Sequence, residues 1–380
     1  MIESNTMVET GMKVITQRDE LAQKLGVVAR AVSTRASVQI LSGVLIDASS
    51  AEQPVELAAT DMELSVRAKL LADVHEPGRV VVPGRLLLDI VRHLPAQQVV
   101  LASGDGPGLL TLECGASRYS LHTYDPDDFP RLPEVDHGRT FGVDRDTFLQ
   151  AAQRVLRAAS SDDSRPVLTG VLVEFAGGVL TMAATDSYRM AVRTTPLEGG
   201  PPEDLTAIVP ARALSDLVRV AASVEGEGLE IVVEENQVLF GTGDVWLGAR
   251  RIEGQFPEFR RLLPETFEHE VSLPRAEFAD VIARVEVLAG RSPLRLAFAP
   301  GELTVPAQTQ EVGEGRESLP CDFRGEPLEI GFNPAFLREG VESIPGDTVL
   351  LKLITPLRPG LLTGGTDDYW YLIMPIRLAT

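Results

Sequence analysis

The residues that could do acid–base or metal chemistry in this chain are aspartates and histidines. Their spacing favours neither acid–base catalysis nor metal binding. Three aspartates fall within residues 125–128, in a segment whose proline and charge content is typical of a linker. Two Thr-Asp pairs end at Asp61 and Asp186, but the corresponding place in a third part of the chain holds Thr309. The histidines form no i, i+4 metal pair, and the chain has no Gly-Lys-Ser/Thr phosphate loop. We therefore expect no catalytic residue, no metal site and no cofactor.

Arginine is the residue type whose placement does indicate a shared feature, namely a common basic surface. The 380 residues carry a net charge of −20, which ordinarily counts against nucleic-acid binding because phosphate contacts need a basic surface. Net charge is a sum over the molecule, however, so a local stripe can still be positive. Arg85 and Arg92 share one face of a predicted helix, and Arg212 and Arg219 repeat them 127 residues later. A single surface arginine more often only contacts solvent, but this recurrence favours a common basic surface.

Bulk properties narrow the class of protein further. No run approaches the roughly 18 apolar residues that a membrane span requires. Residues 1–11 lack a basic segment followed by an apolar one, so we expect a disordered extension, or an alternative start upstream of Met12, rather than a signal peptide. We therefore expect a cytoplasmic protein. Cys114 and Cys321 fall in non-corresponding places, which argues against a disulfide framework and favours core thiols.

The elements that must position these arginines are repeated along the chain. Three pairs of residues in matching local sequences are each 127 residues apart: Gly43 and Gly170, Pro83 and Pro210, and Pro130 and Pro257. A period of this length is a whole domain rather than a short solenoid repeat. After the extension at 1–11, we therefore predict three modules, at residues 12–137, 138–266 and 267–380.

Each module is predicted to open with an amphipathic helix whose apolar residues share one spacing and therefore one helical face. These residues are Leu21, Leu25, Val28 and Val32; Phe148, Ala152, Val155 and Ala159; and Phe278, Ile282, Val285 and Ala289. Alternating apolar runs then predict hairpins. A second helix is predicted after a proline or an Asn cap, at 84–94, 211–222 and 334–344. The fold class is α+β, with two helices against mostly antiparallel strands in each of three tandem modules.

Four segments identify a family. They are residues 184–191 (ATDSYRMA), residues 256–264 (FPEFRRLLP), Phe332-Asn333 and residues 374–378 (MPIRL). From about Met12 to Leu378, the chain resembles the bacterial sliding clamps, the β subunits of replicative DNA polymerase III. The resemblance implies the DNA clamp fold and a head-to-tail homodimer, whose six modules close a ring around duplex DNA. Because such a ring retains DNA by topology, its lumen need be only weakly attractive.

The resemblance also implies roles for particular residues. Those that it places at the DNA are Arg35, Arg85, Arg92, Arg165, Arg212 and Arg219. Arg154, Arg157 and Arg284 are added because each lies opposite the apolar stripe of its predicted helix or close to that position. It implies a dimer contact made by Tyr119 and Leu121 of one subunit with Val287 and Leu288 of the other.

A partner-binding pocket is the third implication. It receives a peptide of roughly Gln-Leu-x-Leu-Phe type from the replicative polymerase, the clamp loader, other polymerases, ligase or mismatch-repair proteins. The matching residues are Leu168, Thr185, Ser187, Tyr188, Arg189, Met190, Pro257, Arg261, Leu262, Asn333, Phe336, Leu372, Met374, Pro375, Ile376 and Arg377. The first module also has a Thr-Asp pair, at Thr60-Asp61, so we interpret the pair as a structural turn.

Two alternatives stay open at this point. One is a paralogous clamp with the same ring but a different partner or drug specificity, which the consequence of losing the gene would test. The other is a carboxylate-dependent hydrolase that uses Asp61, Asp186 or the aspartates within residues 125–128. Turnover of a substrate would distinguish the hydrolase from a clamp.

Overall fold

The computed structural model describes residues 11–33, 38–50, 52–104, 106, 108–226, 228–290, 292–309, 313–366 and 368–378. Its α-helices within these ranges are α1 Arg18–Val28, α2 Gly84–His93, α3 Arg145–Leu156, α4 Ala211–Ala221, α5 Arg275–Ala289 and α6 Pro334–Ser343. No helix of the described residues is long and apolar enough to cross a membrane.

The strands follow one another in three series. The first is β1 Lys13–Gln17, β2 Gly43–Ala48, β3 Val55–Thr60, β4 Leu64–Leu70, β5 Ala72–Glu76, β6 Gly78–Pro83, β7 Gln98–Ser103, β8 Leu109–Cys114 and β9 Ser117–His122. The second is β10 Phe141–Asp144, β11 Gly170–Ala176, β12 Val179–Thr185, β13 Arg189–Pro196, β14 Leu205–Pro210, β15 Gly228–Val233, β16 Gln237–Thr242 and β17 Val245–Arg250. The third is β18 His269–Pro274, β19 Leu294–Ala299, β20 Glu302–Thr309, β21 Gly313–Pro320, β22 Leu328–Phe332, β23 Thr348–Leu353, β24 Gly360–Thr363 and β25 Tyr369–Ile373.

The strands form four sheets, and the predicted α+β class is confirmed. Two sheets have eight strands, in the orders β10-β15-β16-β17-β4-β3-β2-β6 and β14-β11-β12-β13-β25-β24-β23-β18. A five-stranded sheet has the order β5-β1-β7-β8-β9, and a four-stranded sheet has the order β21-β20-β19-β22. Strands β9 and β21 therefore each lie at the edge of a sheet.

The predicted helices exist and bury most of the predicted faces, but Val32 and Ala159 lie beyond the ends of α1 and α3, and Ala159 is only half-buried. Leu21, Phe148 and Phe278, which open the three apolar stripes, are fully buried. The second helices agree with their predicted bounds to within one residue. One prediction was wrong, because each series opens with a strand before its first helix, as β1 does before α1. The alternation of buried and exposed residues in β1 covers only five residues, which is too short to stand out beside a helical pattern.

The described residues form two compact units, which we treat separately. The first contains the chain up to Gly142 together with Asp216–Arg251, and the second contains Val143–Ser215 together with the chain from Ile252. In the first unit, β17 pairs antiparallel with β4; in the second, β25 pairs antiparallel with β13. Each unit thus holds one junction between strands from successive parts of the chain. The three module boundaries stay a prediction.

Helix α6 lies unusually close to the sheet of the second unit because of one glycine. A Cβ added at Gly340 would lie 2.6 Å from Cε1 of Tyr371 and 2.7 Å from Cδ1 of Leu362. Only glycine permits this approach, which brings the N-terminal turn of α6 toward the β13–β25 junction.

Two glycine-to-alanine substitutions test this packing as a matched pair. Gly340→Ala should lower the free energy of unfolding by about 1–3 kcal/mol. The destabilisation caused by overpacking should exceed the stabilisation of about 1 kcal/mol that alanine gives through its higher helix propensity. Gly26→Ala in α1 should raise it by up to about 1 kcal/mol, because the nearest atom to its added Cβ is Nη2 of Arg92 at 3.6 Å. Urea unfolding followed by circular dichroism gives both midpoints. A raised midpoint in Gly340→Ala would contradict the close approach of α6.

Candidate partner-binding and DNA-binding sites

The turn between β12 and β13 presents side chains at the junction in the second unit. The Oδ1 atom of Asp186 accepts the N–H groups of Tyr188 and Arg189, at 2.9 and 3.0 Å. The hydroxyl of Thr185 donates to the carbonyl of Arg189 at 2.7 Å and accepts the N–H of Ser187 at 3.2 Å. These bonds hold Ser187 in the left-handed region, at φ 79°, and leave the side chain of Tyr188 exposed.

The first unit contains the same turn. Asp61 accepts the N–H groups of Glu63 and Leu64, at 3.2 and 2.8 Å. Thr60 donates to the carbonyl of Leu64 at 2.9 Å and accepts the N–H of Met62, which has φ 77°. The interpretation of Thr-Asp as a structural turn is therefore confirmed.

The guanidinium of Arg189 is held on several sides, and its side chain is only 9% exposed. Its Nε donates to Asp186 at 3.0 Å, and its Nη1 pairs with Glu339 and donates to the hydroxyl of Tyr371 at 3.3 Å. Its Cζ atom lies 4.1 Å from the ring centre of Phe336. Burial alone would lower the pKa of Arg189, but Tyr371 and Glu339 outweigh it and raise that pKa. Arg189 therefore ties the turn to α6 and to the sheet.

The first turn of α6 is fixed by side chains on both sides. The Oδ1 atom of Asn333 accepts the N–H of Phe336 at 3.2 Å and caps the helix. The hydroxyl of Tyr371 donates to the carbonyl of Phe336 at 3.0 Å. Burial raises the pKa of Tyr371, so its hydroxyl stays protonated and remains a donor.

A cavity of about 670 Å³, which we call the junction pocket, opens beside this turn. Ten of the predicted partner-binding residues line it: Thr185, Ser187, Tyr188, Arg189, Met190, Pro257, Arg261, Leu262, Leu372 and Met374. Met190 and Leu372 are buried and form apolar wall, whereas Met374 is 43% exposed. The exposed guanidinium of Arg261 adds a positive charge to this lining. An apolar cavity with a few polar groups is the usual form of a specific ligand site.

The register of the two junctions shows why the second one has apolar walls. In the second unit, Met190 lies opposite Leu372 on β13 and β25. The matching pair in the first unit is Ser65 opposite Gly248, on β4 and β17. A Cβ added at Gly248 would lie 2.6 Å from Oγ of Ser65 and 3.9 Å from Cγ of Pro133, so that junction is tightly closed. Small residues allow closure in one junction, while large apolar residues line a cavity in the other.

The other six predicted partner-binding residues lie outside the pocket lining: Leu168, Asn333, Phe336, Pro375, Ile376 and Arg377. The C-terminal segment is nevertheless anchored beside the pocket. The N–H of Met374 donates to the carbonyl of Tyr188 at 2.8 Å, and the N–H of Ile376 donates to the carbonyl of Gly331 at 2.7 Å. Ile376 remains exposed there and extends the apolar surface.

Sequence reasoning missed six lining residues: Leu263, Pro264, Ile354, Leu357, Arg358 and Pro359. Leu357 is a large exposed apolar side chain in a Pro-Leu-Arg-Pro turn. An apolar residue between two prolines was an available signal, because prolines confine the turn to the surface and so expose the leucine.

The predicted DNA-facing arginines fall into distinct environments. Arg85 and Arg92 on α2, and Arg212 and Arg219 on α4, have exposed side chains. Arg219 also lies 3.4 Å from Asp216. Arg35 lies outside the described residues.

The arginines of the first helices are more constrained than the sequence predicted. Arg154 donates to the carbonyl of Ser343 and lies 5.8 Å from the ring centre of Tyr369; burial lowers the pKa of Arg154. Arg157 pairs with Glu342 at 2.6 Å. The helical wheel placed both away from the core of α3, but it contains no information about α6, which meets that face.

Two further arginines also have partners within the second unit. Arg284 forms a bidentate pair with Glu317, with both contacts at 3.0 Å, and this hydrogen bonding raises the pKa of Arg284. Arg165 donates to the hydroxyl of Ser187 at 3.0 Å, which places it at the junction pocket.

The predicted dimer residues lie on open elements. Tyr119 is 42% exposed on the edge strand β9, whereas Leu121 faces the interior. Val287 is 83% exposed on α5. Leu288 is half-buried, and its Cδ1 lies close to Gly315 of the edge strand β21.

Three domain models of one family match the chain in sequence order. They describe the N-terminal, central and C-terminal domains of the DNA polymerase III beta subunit, and they match residues 12–133, 142–258 and 260–377.

Individual proteins agree with these matches. Beta sliding clamps of Streptomyces coelicolor and Synechocystis are 34% and 33% identical to the chain, and each match covers 97% of the chain and 100% of the relative. A crystal structure of the Bacillus subtilis DNA polymerase sliding clamp has a TM-score of 0.89 at 26% identity, covering 97% of this chain and 100% of that one. A Pseudomonas aeruginosa sliding clamp bound to griselimycin has a TM-score of 0.88 at 28% identity, with the same coverage. The chain therefore belongs to the family of DNA polymerase III β subunits, the β sliding clamps.

Proposed function

We propose that two copies of this chain close head to tail into a ring around duplex DNA, and that the ring tethers its partners through the junction pocket. The partners are the replicative polymerase, the clamp loader, other polymerases, ligase and mismatch-repair proteins. The observation that carries the proposal is a difference in strand pairing. Strands β9 and β21 lie at sheet edges, whereas the corresponding strands are paired within the chain, β17 with β4 and β25 with β13.

The open edges correspond to strands that are paired elsewhere. Strand β9 follows a tight turn at Gly115, with φ 58°, just as β17 follows Gly243, with φ 57°. Strand β21 corresponds to β4 and β13, because Gly315 lies opposite Ala307 as Ala191 lies opposite Ala184. A second copy can pair its β9 with this β21, and the heterologous contact closes after two copies. Exposed edges otherwise invite uncontrolled association.

The helices also show an equivalence between the internal junctions and the proposed contact with a second copy. Arg30, Arg157 and Val287 occupy equivalent positions, each nine residues after the first apolar residue of its helical stripe. Arg30 pairs with Asp216 on α4, and Arg157 pairs with Glu342 on α6. Val287 would therefore face α2 of the second copy.

An apolar side chain is available on α2 to meet Val287. Leu86 is 49% exposed there, whereas Ala213, at the equivalent place on α4, is buried. An apolar contact thus replaces the ion pairs of the two internal junctions.

Disulfide trapping tests the register. Leu247 lies opposite Val66 and Tyr371 lies opposite Ala191, which by equivalence places Tyr119 opposite Gly315 of the second copy. In a Cys321→Ser background, Tyr119→Cys with Gly315→Cys should form a reducible dimer on oxidation, since directly opposed residues are within disulfide reach. Ser117→Cys with Gly315→Cys is the control, because it is displaced by two residues and should not bridge. Dimers in sedimentation without a trapped bond would place the interface elsewhere.

The DNA-facing surface is proposed to be the exposed arginines Arg85, Arg92, Arg212 and Arg219. Arg154 is left out of this set because its guanidinium is engaged inside the second unit. A chain with a net charge of −20 would bind DNA weakly as a monomer, so retention must come from closure of the ring.

Retention on circular and linear DNA tests the topological mechanism. Loaded protein should stay on closed circles and leave linear DNA through its ends, because no tight phosphate contact holds it. Arg85→Glu with Arg212→Glu should lower loading at least severalfold without changing the dimer, since phosphate contacts would be lost. Arg131→Glu with Arg139→Glu, at exposed arginines in the segment between β9 and β10, is the matched control. Equal retention on linear and circular DNA would contradict closure.

The proposed activity is binding, with no reaction of its own. In each of the candidate acids Asp61 and Asp186, one carboxylate oxygen accepts hydrogen bonds from backbone N–H groups of a turn. Among the described residues, no group of three or more His, Cys, Asp or Glu side chains could hold a metal ion. Both observations favour a structural role for these carboxylates.

Titration of a labelled Gln-Leu-x-Leu-Phe peptide tests the pocket. Met374→Ala removes an exposed apolar wall, and loss of such an anchor costs on the order of 2 kcal/mol, or roughly thirtyfold in affinity. Leu71→Ala removes another exposed apolar side chain, in the first unit, and should leave the affinity unchanged. Fluorescence anisotropy measures both, and equal affinities would move the partner site away from the junction pocket.

A further inference from the structure

A second cavity, of about 580 Å³, adjoins the junction pocket and has no role in the function proposed above. We call it the linker groove: it lies between Leu172, Thr206 and Ile208 on the sheet and the covering segment 254–261. Its floor is apolar, because Leu172 and Ile208 belong to a cluster against which Phe256 packs. The two cavities share Pro257 and Arg261 in their linings, so they are adjacent.

Comparison with the first unit shows how the groove arises. Asp47 lies opposite Arg79 on β2 and β6, and their side chains pair at 3.2 Å. The equivalent residues on β11 and β14 are Glu174 and Thr206. Glu174 pairs instead with Arg260 of the covering segment, at 2.9 Å. A short threonine therefore stands where the first unit has a long arginine, and this leaves room in the groove.

The residues around the groove indicate what it could hold. The apolar floor suits one aliphatic or aromatic side chain. At the boundary with the junction pocket, the side chain of Arg261 is 83% exposed and its ion-pair partner, Glu258, is itself exposed. An exposed pair of this kind is weak, so a carboxylate on a ligand can replace Glu258 at little cost.

We propose that the linker groove binds the residues of a partner protein that directly adjoin the motif held in the junction pocket. The groove takes one apolar side chain, and an acidic residue before it meets Arg261. This inference rests on the proposed function of the junction pocket, and it adds a specificity site that distinguishes partners by their flanking residues.

Extended peptides test the inference on the full chain. The core Gln-Leu-x-Leu-Phe peptide is compared with versions that carry Asp-Leu, joined by one serine, at either end, and with Ser-Asn-Ser extensions of equal length. One Asp-Leu version should bind about tenfold more tightly than its Ser-Asn-Ser control, because it buries a leucine side chain. Equal affinity of all extended peptides would overturn the inference.

Thr206→Arg is the matched variant. It reproduces the Arg79 arrangement of the first unit opposite Glu174, so the fold already accommodates it once. It should abolish the gain from the Asp-Leu extension while leaving the affinity for the core peptide unchanged; Thr348→Arg, at another exposed strand position, should change neither. Retention of the gain in Thr206→Arg would place the extension outside the groove. Failure of the core peptide to bind the unaltered chain would instead overturn the proposed function, and with it this inference.

Discussion

Antiparallel backbone pairing between strands from successive parts of the chain is the interaction on which the rest of this structure depends. The β25–β13 pairing brings the end of the chain beside the turn at residues 185–189, although almost 190 residues separate them. Without it, Met374 and Tyr188 would not lie in one site. The same pairing in the first unit, β17 with β4, makes one sheet from strands far apart in sequence. Strands β9 and β21 lie at sheet edges although the strands equivalent to them are paired in both units, and this difference points to assembly.

The two units share one backbone arrangement and differ in the side chains at their junctions. Both units use the Thr-Asp turn, including its unusual positive φ. At the junction, Ser65 and Gly248 allow close packing in one unit, while Met190 and Leu372 provide apolar walls in the other. The backbone is thus kept, and side-chain volume decides whether a junction is closed or holds a cavity. Thr206 in place of an arginine has the same effect at the linker groove.

A buried charge network holds the walls of the junction pocket in place. Arg189 contacts Asp186 in the turn, Glu339 and Phe336 on α6, and Tyr371 on β25. A guanidinium with so little exposure requires partners, because an unpaired buried charge is very costly. Arg189 therefore fixes three elements relative to one another.

Local patterns in the sequence predicted many features of this protein. Helical spacing predicted the buried faces of α1, α3 and α5, and the proline and Asn caps predicted where α2, α4 and α6 begin, because these features depend on neighbours within a few residues. The repeat and four short segments identified the family and ten of the residues that line the junction pocket.

Only the tertiary structure decided which side chains are available. The helical wheel put Arg154 and Arg157 away from the core of α3, but α6 meets that face and engages both. Arg189 matched a partner-binding position, yet it is enclosed by residues up to 182 positions away. Arg358 and the linker groove were missed for the same reason. Side-chain availability depends on contacts between distant segments, and a periodic pattern along the chain contains no record of those contacts.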